Sequence, residues 1–164
     1  MLPVQTILHP TDFSESAEHA FRLACSLARD HAARLVVLHV VKPSYPIVGE
    51  MLVVPPLGSE EGDEAERLRM LAKLKARTPT YGGFPVEYRA EIGEPVESIL
   101  DAVEDTGAGL VVMGTHGRTG LKRMLMGSVA EQIVRTAPCS VLTVKTPTAT
   151  RFADMPKREL AAQH

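Results

Sequence analysis

Three glycines and a serine, spaced Gly114-x2-Gly117-x9-Gly127-Ser128, are the residues of this chain best suited to chemistry. Glycine has no Cβ and tolerates positive φ, so it lets backbone N–H groups come close to an oxygen-rich ligand. Ser128 is placed to open a helix, whose first N–H groups have no internal partners and carry the positive end of the dipole. Such a helix start holds anions, and phosphate is the anion this spacing suggests. The chemistry is therefore binding through backbone amides. Two common phosphate loops are absent. No Gly-x4-Gly-Lys-[Ser/Thr] occurs, and Gly107-Ala-Gly109 precedes a strand pattern where a dinucleotide fingerprint would follow one.

The elements that must position this loop alternate along the chain. Val4 to Leu8 reads as a short strand that ends in His9-Pro10-Thr11-Asp12-Phe13. Ser14 offers an N-cap, and Ala17, Ala20, Phe21, Ala24 and Ala28 keep helical spacing to about Asp30. Leu35 to Val41 is an apolar run suited to a strand covered on both faces. Residues 42–59 carry six of the chain's prolines and glycines, Pro43, Pro46, Gly49, Pro55, Pro56 and Gly58, and read as a long loop. An acidic helix start follows (Glu60, Glu61, Asp63, Glu64), with Leu68, Leu71 and Ala72 expected on its inner face. Val86 to Ala90 is a third strand. Pro95 begins a helix with Val96, Ile99, Leu100 and Val103 as its stripe, closed by Gly107 and Gly109. Leu110 to Met113 is the fourth strand. A last helix from Ser128 is expected to bury Val129, Ala130, Ile133, Val134 and Ala137, and Val141 to Val144 is the fifth strand.

This order predicts a single α/β domain over 1–145: an open five-stranded parallel sheet, doubly wound, with helices on both faces. The polar stretch 146–164 is read as a poorly ordered tail. With strand order 3-2-1-4-5 the ligand crevice falls outside the C-terminal ends of strands 1 and 4. The loops at Pro10–Ser14 and Gly114–Ser128 flank it.

Composition narrows the function classes. A domain of 164 residues buries roughly 70% of its unfolded surface and needs no disulfide staples. A net charge of −2 and 4% aromatic residues give no case for nucleic acid. Cys25 and Cys139 both lie in apolar patterns and read as buried free thiols. No apolar run approaches the ~20 residues that would span a bilayer, and no basic-then-apolar leader opens the chain, so a cytoplasmic location is expected.

The run Gly114-Thr-His-Gly117-Arg-Thr-Gly-Leu-Lys-Arg-Met-Leu-Met-Gly127-Ser128 resembles the ATP-binding signature of the universal stress protein family. Val111-Val112-Met113 before it and Ala137-Pro138-Cys139-Ser140-Val141-Leu142 after it are similar to family sequences. So are Ile7-Leu8-His9-Pro10-Thr11-Asp12-Phe13-Ser14 and Leu38-His39-Val40-Val41. The resemblance covers residues 3 to about 145 and implies a site. Asp12 would approach a ribose, with Pro10 and Thr11 shaping the wall and the Val40 backbone reading an adenine edge. Met113 leads into Gly114, which would lie under the ribose. Gly117, Gly127, Ser128 and Val129 would donate to phosphates, with His116 and Arg118 close by. The implied cofactor is ATP or another adenine nucleotide, with Mg²⁺ or Mn²⁺ bridging the phosphates. Self-pairing of the last strand would give a homodimer.

Several of these residues have a plainer use. Asp12 can turn its carboxylate to backbone N–H groups at the helix start. His116 is a loop histidine. His9 and His39 are suited to packing or hydrogen bonding and show no zinc-ligand spacing. Three functions remain in view: an ATP-binding stress-response switch with a protein partner of unknown identity, a slow ATPase or adenine-nucleotide hydrolase, and a nucleotide-free dimeric scaffold. The intact loop favours the first. No base for water is evident in the sequence, and phosphoryl transfer needs more than a phosphate cradle.

Overall fold

The computed structural model describes residues 4–44, 59–77, 79, 82–115 and 128–146. Five parallel strands form one sheet in the order β3-β2-β1-β4-β5. They are β1 (Thr6–Pro10), β2 (Arg34–Val41), β3 (Val86–Ile92), β4 (Leu110–Gly114) and β5 (Ser140–Val144). Between them run α1 (Glu15–His31), α2 (Ser59–Lys75), α3 (Pro95–Thr106) and α4 (Ser128–Thr136). The expected strand order and layering are those observed.

Strand periodicity divides the core in two. Ile7, Leu35, Val37 and Val112 point to one face, against Phe21, Ala24 and Ala28 of α1 and Leu74 of α2. Their neighbours Leu8, Val36, Leu38, Val111 and Met113 point to the other, against Ile99, Ala102 and Val103 of α3 and Ala130 and Ile133 of α4. The central strands are thus apolar on both faces, as a parallel sheet under two helical layers requires.

Local signals set the helix ends. Ser14 caps α1, its Oγ accepting the Ala17 N–H at 3.2 Å. Pro95 fills the first turn of α3, and Gly107 ends it at φ 62°. In this left-handed conformation its N–H reaches the Glu104 and Val103 carbonyls.

Three expectations about buried faces need correction. On α2, Leu68 is 52% exposed and Ala72 lies at the surface, while Asp63, Met70 and Leu74 are buried. Polar anchors turn the helix that way. The Asp63 carboxylate accepts the Ser44 N–H at 3.1 and 3.2 Å and also takes its hydroxyl, and Arg67 donates to the Ala90 carbonyl. On α4, Val134 is 45% exposed, because a nine-residue helix on the outer strands covers only one stripe. Cys25 is buried, but Cys139 is only half-covered, just ahead of the outermost strand. Both are free thiols.

One seam in the sheet is short. β1 and β2 pair over five positions and β2 and β3 over seven, whereas β1 and β4 pair only at Ile7↔Leu110 and Leu8↔Val111. One residue further on, the imidazole of His9 replaces the backbone ladder, with Nδ1 2.8 Å from the Val112 carbonyl oxygen. Beyond that point the strands flank an opening.

Candidate functional site

The opening is a cleft of about 620 Å³ at the C-terminal ends of β1, β2 and β4. That volume lies within the range of small-molecule sites. Of the twelve residues expected at a site, Pro10, Thr11, Asp12, Val40, Met113, Gly114, Ser128 and Val129 all line it. His116, Gly117, Arg118 and Gly127 fall outside the described residues, as does the 147–164 stretch.

The β1 wall is a tight turn. Thr11 N–H donates to the Leu38 carbonyl at 2.8 Å, and the Thr11 carbonyl accepts from His39 Nδ1 at 2.7 Å. Thr11 Oγ1 takes the Phe13 N–H at 3.2 Å, and Asp12 Oδ1 takes the Ser14 N–H at 3.0 Å. Asp12 therefore does bind a backbone N–H at the helix start while its residue lines the cleft. To fit, Phe13 adopts φ 62°, the left-handed region that a bulky residue rarely enters. A non-glycine residue held there costs on the order of 1–3 kcal/mol.

The β2 wall is an overhang. β1 ends at Pro10 opposite Leu38, but β2 runs on through His39, Val40 and Val41. Leu38 accepts from Thr11 on the β1 side, whereas Val41 accepts from Gly93 on the β3 side. Alternation then directs the Val40 N–H and C=O to the β1 side, past the point where β1 has stopped. They face the cleft as an open donor–acceptor pair on apolar surroundings that include Leu38 and Ile99.

The β4 wall ends at Gly114, tied to β5 through its neighbour Thr115, whose N–H donates to the Val144 carbonyl at 3.0 Å. A Cβ on Gly114 would stand 2.5 Å from Ser16 Oγ, 2.8 Å from the Ser16 carbonyl carbon and 2.9 Å from the Ala17 nitrogen. This glycine is required by the first turn of α1. That turn itself reaches the cleft at Ala17. Across from it, Ser128, Val129 and Ala130 in the first turn of α4 line the cleft.

Residues not foreseen from sequence complete the lining: Lys42, Glu66 of α2, and Pro95 and Ile99 of α3. The start of α3 was accessible by topology, since each helix begins near the C-terminal end of the strand before it. Behind the cleft, His9 is fully buried, and its pKa is pushed down to about 4, chiefly by burial. The Val112 carbonyl pulls it up, Arg77 down and Asp12 up, each less than burial. Because Nδ1 faces a carbonyl it carries the proton, and Nε2 has no partner among the described residues.

The walls combine an apolar slot with a backbone edge, a carboxylate beside it, and the first turn of α4 opposite. Among the described residues no three His, Cys, Asp or Glu side chains are grouped to hold a metal. None of the described helices is long and apolar enough to cross a membrane.

The sequence model of the universal stress protein family matches residues 3–145. A universal stress protein of Methanocaldococcus jannaschii is 37% identical over 147 residues, covering 86% of this chain and 82% of that protein. Among solved structures, a universal stress protein from Lactobacillus plantarum superposes with a TM-score of 0.73 at 26% identity, over 88% of this chain and 99% of its own. A universal stress protein in complex with cAMP gives 0.64 at 25% identity, over 89% and 100%. In sequence and in fold the chain belongs to the universal stress protein family.

Proposed function

We propose that the protein binds an adenine nucleotide, ATP first among them, and serves in the cytoplasm as a nucleotide-dependent switch in a stress response. The observation that carries this reading is convergence. Residues from two distant loops, chosen for their fit to an ATP signature, line one cleft at the topological switch point of the sheet. In this reading the Val40 backbone pairs with the adenine edge and Asp12 takes the ribose. Ser128 and Val129 donate to phosphates, and Gly117 and Gly127 of the intervening loop complete the cradle. Mg²⁺ or Mn²⁺ would sit among the phosphates. The cAMP complex of a family member adds support for adenine nucleotides as a class. The unit responsible is residues 1–145, with 146–164 as an appended tail.

Binding is favoured over turnover. Contacts to adenine, ribose and phosphates hold ground state and transition state alike, and uniform binding does not raise kcat. Several such hydrogen bonds, each worth about 1 kcal/mol net, bring micromolar affinity within reach. We expect ATP to bind at micromolar concentration in equilibrium titration and Asp12→Ala to weaken it at least about tenfold, or roughly 1.4 kcal/mol. In single-turnover assays with excess Mg²⁺, hydrolysis should take hours. A rate near the 1–100 s⁻¹ typical of kinases would instead favour the enzyme reading. Failure of ATP, AMP and cAMP to bind at millimolar concentration would remove the nucleotide reading and leave the scaffold.

We also propose a homodimer through β5. Among the described residues no strand pairs with its outer edge, and Leu142 of β5 is 38% exposed, with Val134 exposed on the adjoining α4. Monomers usually blunt or cover such an edge. Light scattering at micromolar concentration should give twice the chain mass, and Val141→Pro should halve it. A monomeric parent protein would refute this interface.

A further inference from the structure

Arg77 follows the end of α2 and is not part of the cleft wall, yet its side chain is only 14% exposed. Its guanidinium pairs with Glu18 of α1 and lies over the Phe21 ring, 4.3 Å from the centroid. Nη1 donates to Thr11 Oγ1 at 3.4 Å, the oxygen that also accepts the Phe13 N–H. The Arg77 carbonyl accepts from Tyr88 Oη of β3 at 2.9 Å. Four residues earlier, on α2, Lys73 Nζ sits 3.9 Å from the centre of the Phe13 ring, which also has His39 at 4.8 Å and the Arg77 guanidinium at 5.8 Å. The two cations thus grip both ends of a three-residue turn whose middle residue is Asp12 and whose last is held at φ 62°.

A strained turn keeps its shape only if its surroundings over-determine it. Asp12 Oδ1 holds the Ser14 N–H, and the residues on either side of it, Thr11 and Phe13, are fixed from outside by His39 of β2, by Lys73 of α2 and by Arg77. We propose that Arg77 is a positioning residue for the cleft: from just beyond α2 it fixes the Thr11–Phe13 turn and thereby the direction of the Asp12 carboxylate. The fork geometry matters as well as the charge, since one guanidinium reaches Glu18 and Thr11 while stacking on Phe21. The proposal rests on the nucleotide reading for its consequence but not for its geometry. It links the pocket to α2, the helix tied through Asp63 to the chain just after β2.

A double-mutant cycle with Asp12 separates positioning from general support. Arg77→Gln should lower ATP affinity about tenfold in the parent protein and by less than twofold in an Asp12→Ala background. Arg77→Lys, which keeps the charge and serves should Arg77→Gln fail to fold, should fall between. Equal losses in both backgrounds, or no loss in the parent, would overturn the proposal. A ligand-free readout keeps it distinct from the nucleotide reading. Exchange of the Ser14 amide, held by Asp12, should be about tenfold faster in either Arg77 variant, with the amides of β2 unchanged. Faster exchange without ATP binding by the parent would uphold the positioning and sink the nucleotide reading. Exchange within twofold of the parent would sink the positioning.

Discussion

Gly114→Val is expected to destabilise the protein by roughly 3 kcal/mol or more, a large part of the stability of an ordinary domain. Two of the three atoms that a Cβ would meet are backbone atoms of α1, the Ser16 carbonyl carbon and the Ala17 nitrogen. Neither can rotate away. The helix start must shift, and with it the Ser14 cap and the Asp12 turn. Gly114→Ala should cost about 1–3 kcal/mol by the same contact. Gly93 supplies the control. Its Cβ would come 2.8 Å from Ser98 Oγ, a side-chain atom that can swing aside, so Gly93→Ala should cost under about 1 kcal/mol. Urea unfolding of the three variants reads the difference. Similar midpoints for Gly114→Ala and Gly93→Ala would show that the α1 contact is not what requires glycine.

Acid should remove about 3 kcal/mol of stability through His9 alone. The group is neutral in the folded protein down to about pH 4 but titrates near its ordinary 6.5 when unfolded. Between those values the unfolded chain binds the extra proton, so stability is full above pH 6.5 and falls as pH drops towards 4. Below that the loss levels off. Burial of the whole ring is the main cause, and nearby Arg77 adds to it. Carboxylates titrate in the same window, so the measurement is a difference: unfolding free energies of the parent and of His9→Gln at pH 7, 6, 5 and 4. The gap between them should change by about 3 kcal/mol in favour of the variant as pH falls. A constant gap would mean that the imidazole is not held neutral.

The layers of the fold were legible because each central strand carries apolar residues on both faces. Leu35 to Leu38 can satisfy only a strand between two helical layers. Helix faces were legible where apolar side chains alone choose them, as in α1 and α3. α2 was misread because Asp63 and Arg67 set its rotation, and a polar anchor leaves no mark on apolar periodicity. The loops of the candidate site stood out by glycine spacing and by the Pro10–Ser14 motif. Arg77 did not, because its worth comes from Glu18, Thr11 and Tyr88, which are distant in sequence. Gly114 stood out by its place in the loop motif, but its close approach to Ser16 and Ala17 of α1 did not, because those residues are distant in sequence.

The two-position seam between β1 and β4 also bears on how the chain reaches its native state. His9 and Val112, which meet there, are 103 residues apart in sequence. The β1–β2–β3 part of the sheet is built from neighbouring segments, whereas this junction must wait for the later third of the chain. Long-range pairings form late because loop-closure entropy precedes their reward. During synthesis, then, one edge of β1 stands bare until β4 arrives, and what finally covers it is two paired positions, the Gly109 N–H on the Thr6 carbonyl and one imidazole bond. The walls of the cleft are therefore joined only once β4 is in place, and a chain that stalls before then would present an unpaired apolar strand, the kind of edge on which aggregation starts.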